Sequence, residues 1–158
     1  KSLLRHKNAV STLEEIADGS FQKLIVQQCQ DKSQVKRVLL CTGKIYYELL
    51  DYQQEHLIEQ TLLIRLEQIY PFPYDELAQV LKDFSNLKEV IWAQEEPRNQ
   101  GVWHSQRHNM LKSLPENVSL SYAGRSDSAA PACGSAKLHK IEQEALIVQA
   151  FSSGGKLS

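Results

Sequence analysis

From residue 36 onward the chain alternates between short β-rich runs and longer runs in which apolar residues return every three or four positions. KRVLLC (36–41) is too short for a helix and predicts a buried strand. Thr42-Gly43 turns the chain into a helix over 44–54, with Ile45, Leu49 and Tyr52 on one face. A second strand is predicted at 61–66. Pro71-Phe72-Pro73 then breaks the chain and starts a helix with Pro73 near its first position. In that helix Leu77, Val80, Leu81 and Phe84 form a core stripe, with Asp75 and Glu76 in the first turn and Lys82 in the last, as the helix dipole favours.

EVIWAQ (89–94) predicts a third strand, followed by the loop EEPRNQG and a helix over 102–114 that ends before Pro115. VSLSY (118–122) predicts a fourth strand, with Val118, Leu120 and Tyr122 alternating against two serines. A small-residue loop, AGRSDSAAPACGS, leads to a last helix whose expected buried face is Leu138, Ile141, Ala145 and Val148, with His139 as a packing histidine. Earlier in the chain, Ser11-Thr12-Leu13-Glu14 is a capping-box pattern for a short helix to about residue 18, stopped by Gly19. FQKLIVQQ (21–28) reads as a weaker strand.

Strands separated by single helices imply βαβ crossovers and a parallel sheet covered on both faces. The expected fold is therefore three-layer α/β/α. Residues 1–20 are expected to be a connector with its short helix, 21–151 the α/β domain, and 152–158 a mobile tail. The chain opens on Lys1 rather than Met, and its sequence predicts a segment of a longer polypeptide.

At 158 residues the chain suits one domain burying roughly two-thirds of its unfolded surface. Composition is ordinary for a globular protein, with 42% hydrophobic and 23% charged residues. The net charge of −1, from 18 basic and 19 acidic side chains, supplies no polyanion footprint and argues against nucleic acid as a partner. No apolar run reaches the roughly 20 residues that span a bilayer. Cys29, Cys41 and Cys133 have neither CxxC spacing nor the density of a disulfide scaffold. A reducing compartment is expected, with Cys41 and Cys133 as small packing residues.

Open α/β sheets bind ligands beyond the carboxyl ends of their strands, so those loops carry the candidate chemistry. Gly43-Lys44 has the Gly-Lys of a phosphate loop, but it lacks the other glycines and is followed by Ile45. Gly43 is expected to relieve strain at the corner. Glu95 and Glu96 adjoin a strand end, where neighbouring side chains point to opposite sides and rarely share one ion. His104 and His108 have the i, i+4 spacing of a metal face, yet Ser105 stands where a zinc hydrolase helix needs its glutamate. No GxSxG elbow is present. A surface histidine pair is the plainer expectation.

RLEQIYPFP (65–73), WAQEEPRNQGVW (92–103) and YAGRSDSAAPACG (122–134), in this order and spacing, resemble the C-terminal segment of the decarboxylating component of 2-oxoglutarate dehydrogenases. KSLLRH, TGKIYYELL and LHKIEQEAL fit the same family, so the likeness runs from Lys1 to about Phe151. It implies a transketolase-type C-terminal domain with a five-stranded, mostly parallel sheet whose first strand is antiparallel. The activity it implies is oxidative decarboxylation of 2-oxoglutarate with thiamine diphosphate and magnesium, then succinylation of a lipoyl group on the succinyltransferase component. A 2-oxoadipate enzyme shares the architecture.

In that family the cofactor lies between two preceding domains contributed by both subunits of a homodimer. The GDG-type motif of those domains does not occur here, so no catalytic, cofactor-binding or metal residue is carried over to this chain. The expected role is structural, with Glu95, Glu96, Asn99, Gln100 and Arg125 lining the contact to the preceding domains and the partner subunit. The implied location is the cytoplasm, or the mitochondrial matrix in a eukaryote. Two other readings stay open: a free-standing flavodoxin-like ligand-binding module, and a metal-dependent hydrolase using His104 and His108.

Overall fold

The computed structural model describes residues 10, 19–130 and 134–152. The short helix expected at 11–18, Cys133, and the tail beyond Ser152 lie outside the described residues. The ordered elements are β1 (Leu24–Val26), β2 (Arg37–Cys41), α1 (Ile45–Glu55), β3 (Thr61–Leu66), α2 (Tyr74–Lys82), β4 (Glu89–Gln94), α3 (Trp103–Ser113), β5 (Ser119–Gly124) and α4 (Ala136–Phe151). A 3-10 turn at Lys32–Gln34 precedes β2, with the Asp31 carboxylate accepting from the Ser33 N–H.

The five strands form one sheet in the order β1-β3-β2-β4-β5. β2 to β5 are parallel, while β1 runs antiparallel to β3 in the register Ile25↔Arg65. The weak strand expected at 21–28 shrinks to three paired residues, extended by a bond from Gln27 N to the Leu63 carbonyl.

Strand parity divides the core into two layers. Val38, Leu40, Leu62, Ile64, Val90, Trp92 and Tyr122 point to the face covered by α2 and α3, where they meet Leu77, Leu81, Phe84, Trp103 and Met110. Leu39, Cys41, Leu63, Ile91, Ala93 and Ala123 point to the other face, against Ile45 and Leu49 of α1 and Leu146 and Ala150 of α4. β2, β3 and β4 are apolar at nearly every position because both of their faces are covered. Gly43 turns the chain from β2 into α1 at φ +68 with open space beside it, so its role is conformational.

Two expectations about the last helix are corrected. Leu138, Ile141, Ala145 and Val148 are exposed, and the buried face of α4 is Gln143, Leu146 and Ala150. His139 is exposed rather than packed. Both apolar stripes have helical spacing, so periodicity alone did not choose between them. The helix is rotated so that Leu146 and Ala150, flanked by Ile147 and Phe151, face the sheet, with the Gln143 amide donating to Glu48 of α1 at 2.8 Å. On α1, Tyr52 is half-buried between His56 and Phe151, and Gln53 takes the inward position, donating to the Ile58 and Thr61 carbonyls.

The two faces of α4 and α1 generate a stability contrast. Leu49→Ala, at a fully buried site, should cost about 2–5 kcal/mol in urea unfolding. Ile141→Ala, at a side chain 53% exposed, should stay within about 1 kcal/mol of the parent. Equal losses would show α4 turned the other way.

Candidate functional site

The direction of the crossovers fixes where a ligand crevice would lie. α1 carries the chain from β2 out to β3 across one face. α2 then carries it back past β2 to β4 across the other face, and α3 continues outward to β5. The carboxyl ends of β2 and β4 therefore flank the topological switch point. Their loops are Thr42–Lys44 and Glu95–Val102. Lys44 bridges the crevice, with Nζ 2.5 Å from Glu95 Oε1 and 3.4 Å from Glu48. Burial alone would lower the Lys44 pKa, but the hydrogen bond and charge of Glu95, helped by Glu48, hold it above the ordinary value. The switch point is spanned by an ion pair.

The second loop is organised by one buried amide. Gln94 shares strand parity with Trp92 and is only 2% exposed. Its Oε1 accepts from Trp92 Nε1 and from the backbone N–H of Trp103, both at 3.0 Å. Its Nε2 donates to the Glu96 and Pro97 carbonyls at 3.2 and 3.0 Å. All four hydrogen-bonding positions of the amide are filled. One side chain thus fixes the exit from β4, the bend at Pro97 and the start of α3.

Two glycines make room for it. A Cβ on Gly101 would lie 2.1 Å from the Gln94 amide carbon. A Cβ on Gly124 would lie 2.4 Å from the Tyr122 hydroxyl oxygen and 2.8 Å from the Gln94 carbonyl oxygen. Tyr122 packs against Trp103 at 5.1 Å between ring centroids and donates to the Arg125 carbonyl at 3.3 Å. Burial pushes its phenol pKa well above the usual range.

The loops after β4 and β5 are then fastened to each other. Arg98 meets Asp127 through two parallel bonds of 3.0 Å, the bidentate geometry a guanidinium favours. Asn99 and Ser128 exchange two bonds of 3.0 Å, the Asn99 amide donating to the Ser128 carbonyl and the Ser128 N–H donating back. Gln100 adds a third bond to the same carbonyl at 2.6 Å. Arg125 turns away from this seam to Glu142 of α4, at 2.7 Å, with its own side chain only 10% exposed.

The five residues expected at a contact surface therefore share the carboxyl edge, but four of them have internal partners. Glu95 pairs with Lys44, Asn99 and Gln100 with Ser128, and Arg125 with Glu142; Glu96 is exposed. Arg98, Asp127, Ser128 and above all Gln94 were not singled out from the sequence, and Lys44 was weighed only as part of a phosphate loop. Gln94 had a legible signal: it is the polar end of an apolar strand, at the same parity as Val90 and Trp92. The partner of Arg98 had none, because Asp127 lies in another loop.

His104 and His108 are both exposed on α3. Among the described residues no three His, Cys, Asp or Glu side chains group as a metal site. Burial pushes the Cys41 thiol up to about 12, which keeps it protonated at neutral pH, as a packing residue requires. A groove of about 340 Å³ lies between the loop after β5 and α4, whereas larger clefts of about 600 and 420 Å³ open at the opposite, amino edge. The cleft of about 600 Å³ is next to Arg37, which pairs with Glu89 at 3.3 Å and donates to the Phe151 carbonyl. No helix among the described residues is long and apolar enough to cross a membrane.

Two outcomes test this arrangement. Gln94→Leu strands the Trp92 and Trp103 donors and should cost about 3 kcal/mol or more in chemical denaturation, at about 1–3 kcal/mol per buried group left unpaired. The Arg98 hydrogen bond, outweighing slight desolvation, holds the Asp127 carboxyl below its ordinary value of 3.8. The stabilising contribution of Asp127 is therefore complete above that value and lost as pH falls through its depressed folded pKa. An NMR titration should find the Asp127 midpoint below that of a model peptide, and Arg98→Gln should raise it.

Comparison with known proteins places this edge in a family. Residues 10–151 match the family described as 2-oxoglutarate dehydrogenase C-terminal. The chain is 47% identical over 156 residues to the 2-oxoglutarate dehydrogenase E1 component of Azotobacter vinelandii, covering 96% of this chain and 16% of that protein. It is 47% identical over 154 residues to the component of the same name from Coxiella burnetii, again covering 96% and 16%. A solved structure titled split gene transketolase, inactive beta4 tetramer, has the same fold, with a TM-score of 0.57 at 14% identity over 84% of this chain and 42% of that one. The chain thus spans about one-sixth of the length of the relatives it matches, and it belongs to the 2-oxoglutarate dehydrogenase C-terminal family.

Proposed function

We propose that this chain is the non-catalytic, contact-forming domain of a thiamine-diphosphate-dependent 2-oxoglutarate dehydrogenase. Its preceding domains would bind the cofactor and magnesium in a homodimer. The whole protein would decarboxylate 2-oxoglutarate oxidatively in the cytoplasm and pass the succinyl group to a lipoyl group on a succinyltransferase partner. The family match and the one-sixth span support the parent enzyme. The carrying observation for the structural role is the fastened carboxyl edge, where Lys44 holds Glu95, Arg98 holds Asp127, Asn99 holds Ser128 and Arg125 holds Glu142. Groups engaged in this way make a stiff surface rather than a reactive one.

Thiamine diphosphate supplies an electron sink for decarboxylation when bound. The residues described here do not fit its diphosphate and metal. The Gly43-Lys44 corner has a single glycine, and its lysine is held by two carboxylates. No step is routed through this chain.

The test is made on the full-length polypeptide. With thiamine diphosphate and magnesium it should release carbon dioxide from 2-oxoglutarate, while residues 1–158 alone should release none. Arg125→Glu should weaken dimer assembly or turnover, and Arg125→Glu combined with Glu142→Arg should recover most of the loss. Turnover by the isolated chain, or normal assembly and turnover in the Arg125→Glu protein, would count against the reading.

A further inference from the structure

The solvent face of α3 carries one sign of charge. His104, Arg107, His108, Leu111 and Lys112 are all exposed. At about 3.6 residues per turn they share one continuous arc, opposite the buried Trp103, Met110 and Ser113. No Asp or Glu occurs between Trp103 and Ser113. α1 and α4 each set a carboxylate one turn from a lysine, in Lys44–Glu48 and Lys140–Glu144. α3 has basic side chains at that spacing instead, His104 with His108 and His108 with Lys112. Asp127 acts on His104 from the loop after β5, but both of its oxygens are held by Arg98. The helix itself supplies no counter-charge to this face.

Arg107 is set apart from the other described arginines. Arg37, Arg65, Arg98 and Arg125 each pair with a carboxylate. Arg107 lies instead over the Trp103 ring, 5.6 Å from its centroid. That ring is fixed in turn, packed against Tyr122, with the Trp103 backbone N–H donating to Gln94. A guanidinium stacked on a fixed ring keeps N–H groups at its edge free for a planar acceptor, and ordering it on binding costs little further entropy. The acceptor that matches this fork is a carboxylate. Leu111, 45% exposed, lies within the arc between Arg107 and the histidines. It adds a small apolar contact among the charges.

We propose that the exposed face of α3 is a docking surface for an acidic peptide segment of a protein partner. Carboxylates of that segment meet Arg107 and Lys112, the two imidazoles add N–H donors, and an apolar residue sits on Leu111. The sign of the face selects an acidic partner, and its extent selects a short one. Residues 104 to 112 form a strip about 12 Å long. It is too small for the roughly 800 Å² per partner that a stable interface buries. A nucleic acid fits less well, because its phosphates would run beyond the strip onto a chain whose net charge is −1. Attachment of this kind is weak, fast and sensitive to salt. The surface belongs to this chain and does not depend on what the parent polypeptide catalyses.

The experiment titrates the full-length polypeptide into a fluorescein-labelled helical peptide with glutamates one turn apart around a central leucine, read by fluorescence anisotropy. A second peptide has glutamine at every glutamate position. The glutamate peptide should bind about tenfold tighter than the glutamine peptide, and about fivefold weaker when salt rises from about 50 to about 200 mM. Arg107→Glu and Lys112→Glu should each weaken it about tenfold. Lys140→Glu, on α4 across the sheet, should leave it within about twofold. A peptide with lysines in place of the glutamates should bind the combined Arg107→Glu, Lys112→Glu protein better than it binds the parent. All these substitutions are at exposed positions, so each variant should keep the parent's thermal midpoint. Equal binding of the glutamine peptide, or an affinity unmoved by Arg107→Glu and Lys112→Glu, would overturn the proposal. Tighter binding of a duplex oligonucleotide, lost in Arg107→Glu, would reassign the face to nucleic acid. If the peptide does not bind and Arg107→Glu instead changes the dimer dissociation constant, a second copy covers the face and the proposal fails. Turnover of 2-oxoglutarate plays no part in the readout, so failure of either reading leaves the other standing.

Discussion

A side-chain amide buried between a sheet and a helix is stable only when its two donors and two acceptor positions are matched, because each unmatched group costs about 1–3 kcal/mol. Gln94 satisfies this requirement with four partners drawn from three successive pieces of chain: Trp92 in β4, Glu96 and Pro97 in the loop, and Trp103 at the start of α3. The loop must therefore return to the strand it has just left. Gly101 is needed because that return brings the backbone onto the Gln94 side chain. Gly124 is needed because β5 crosses at the same level, under the Tyr122 ring. Gln94, Gly101, Trp103 and Gly124 serve one packing problem.

From this anchor the rest of the carboxyl edge follows. With the first loop fixed, Arg98, Asn99 and Gln100 face the loop after β5, and Asp127 and Ser128 meet them. These are exposed contacts, and singly each contributes little. Together they form a seam in which one partner already orders the next. Arg125 extends the seam to α4 through Glu142, and Lys44 extends it to α1 through Glu95 and Glu48. Strand ends, loops and two helices are thus linked into one surface. That stiffness suits the contact-forming role proposed for this domain.

The layered fold was legible because period-two and period-3.6 patterns answer to different geometries, and most runs here obey one of them cleanly. β3 and β4 have the bounds their apolar runs predict, and α2 buries Leu77 and Leu81 as its stripe requires. α4 failed the same logic. It is apolar on two faces, and a helix with two candidate stripes does not reveal which one meets its own sheet. Leu146 and Ala150, with Ile147 and Phe151 beside them, join Ile91, Ala93 and Ala123 in the core. The stripe of Leu138, Ile141, Ala145 and Val148 is left outside. His139 followed the helix out, since its burial had been inferred from its neighbours.

The sequence by itself determined the α/β/α class, the strand and helix sequence, the family resemblance and the set of loops that gather at one edge. Each of these is a local property or a matter of order along the chain. Tertiary structure alone decided which charged residues cancel, since Arg98 and Asp127 lie 29 positions apart and no local pattern links them. It also decided which face of α4 is left to solvent, because rotation about the helix axis is set by what the helix meets on the sheet and on α1. Both outcomes depend on contacts between distant segments, and these exist only once the sheet has brought the loops and helices together.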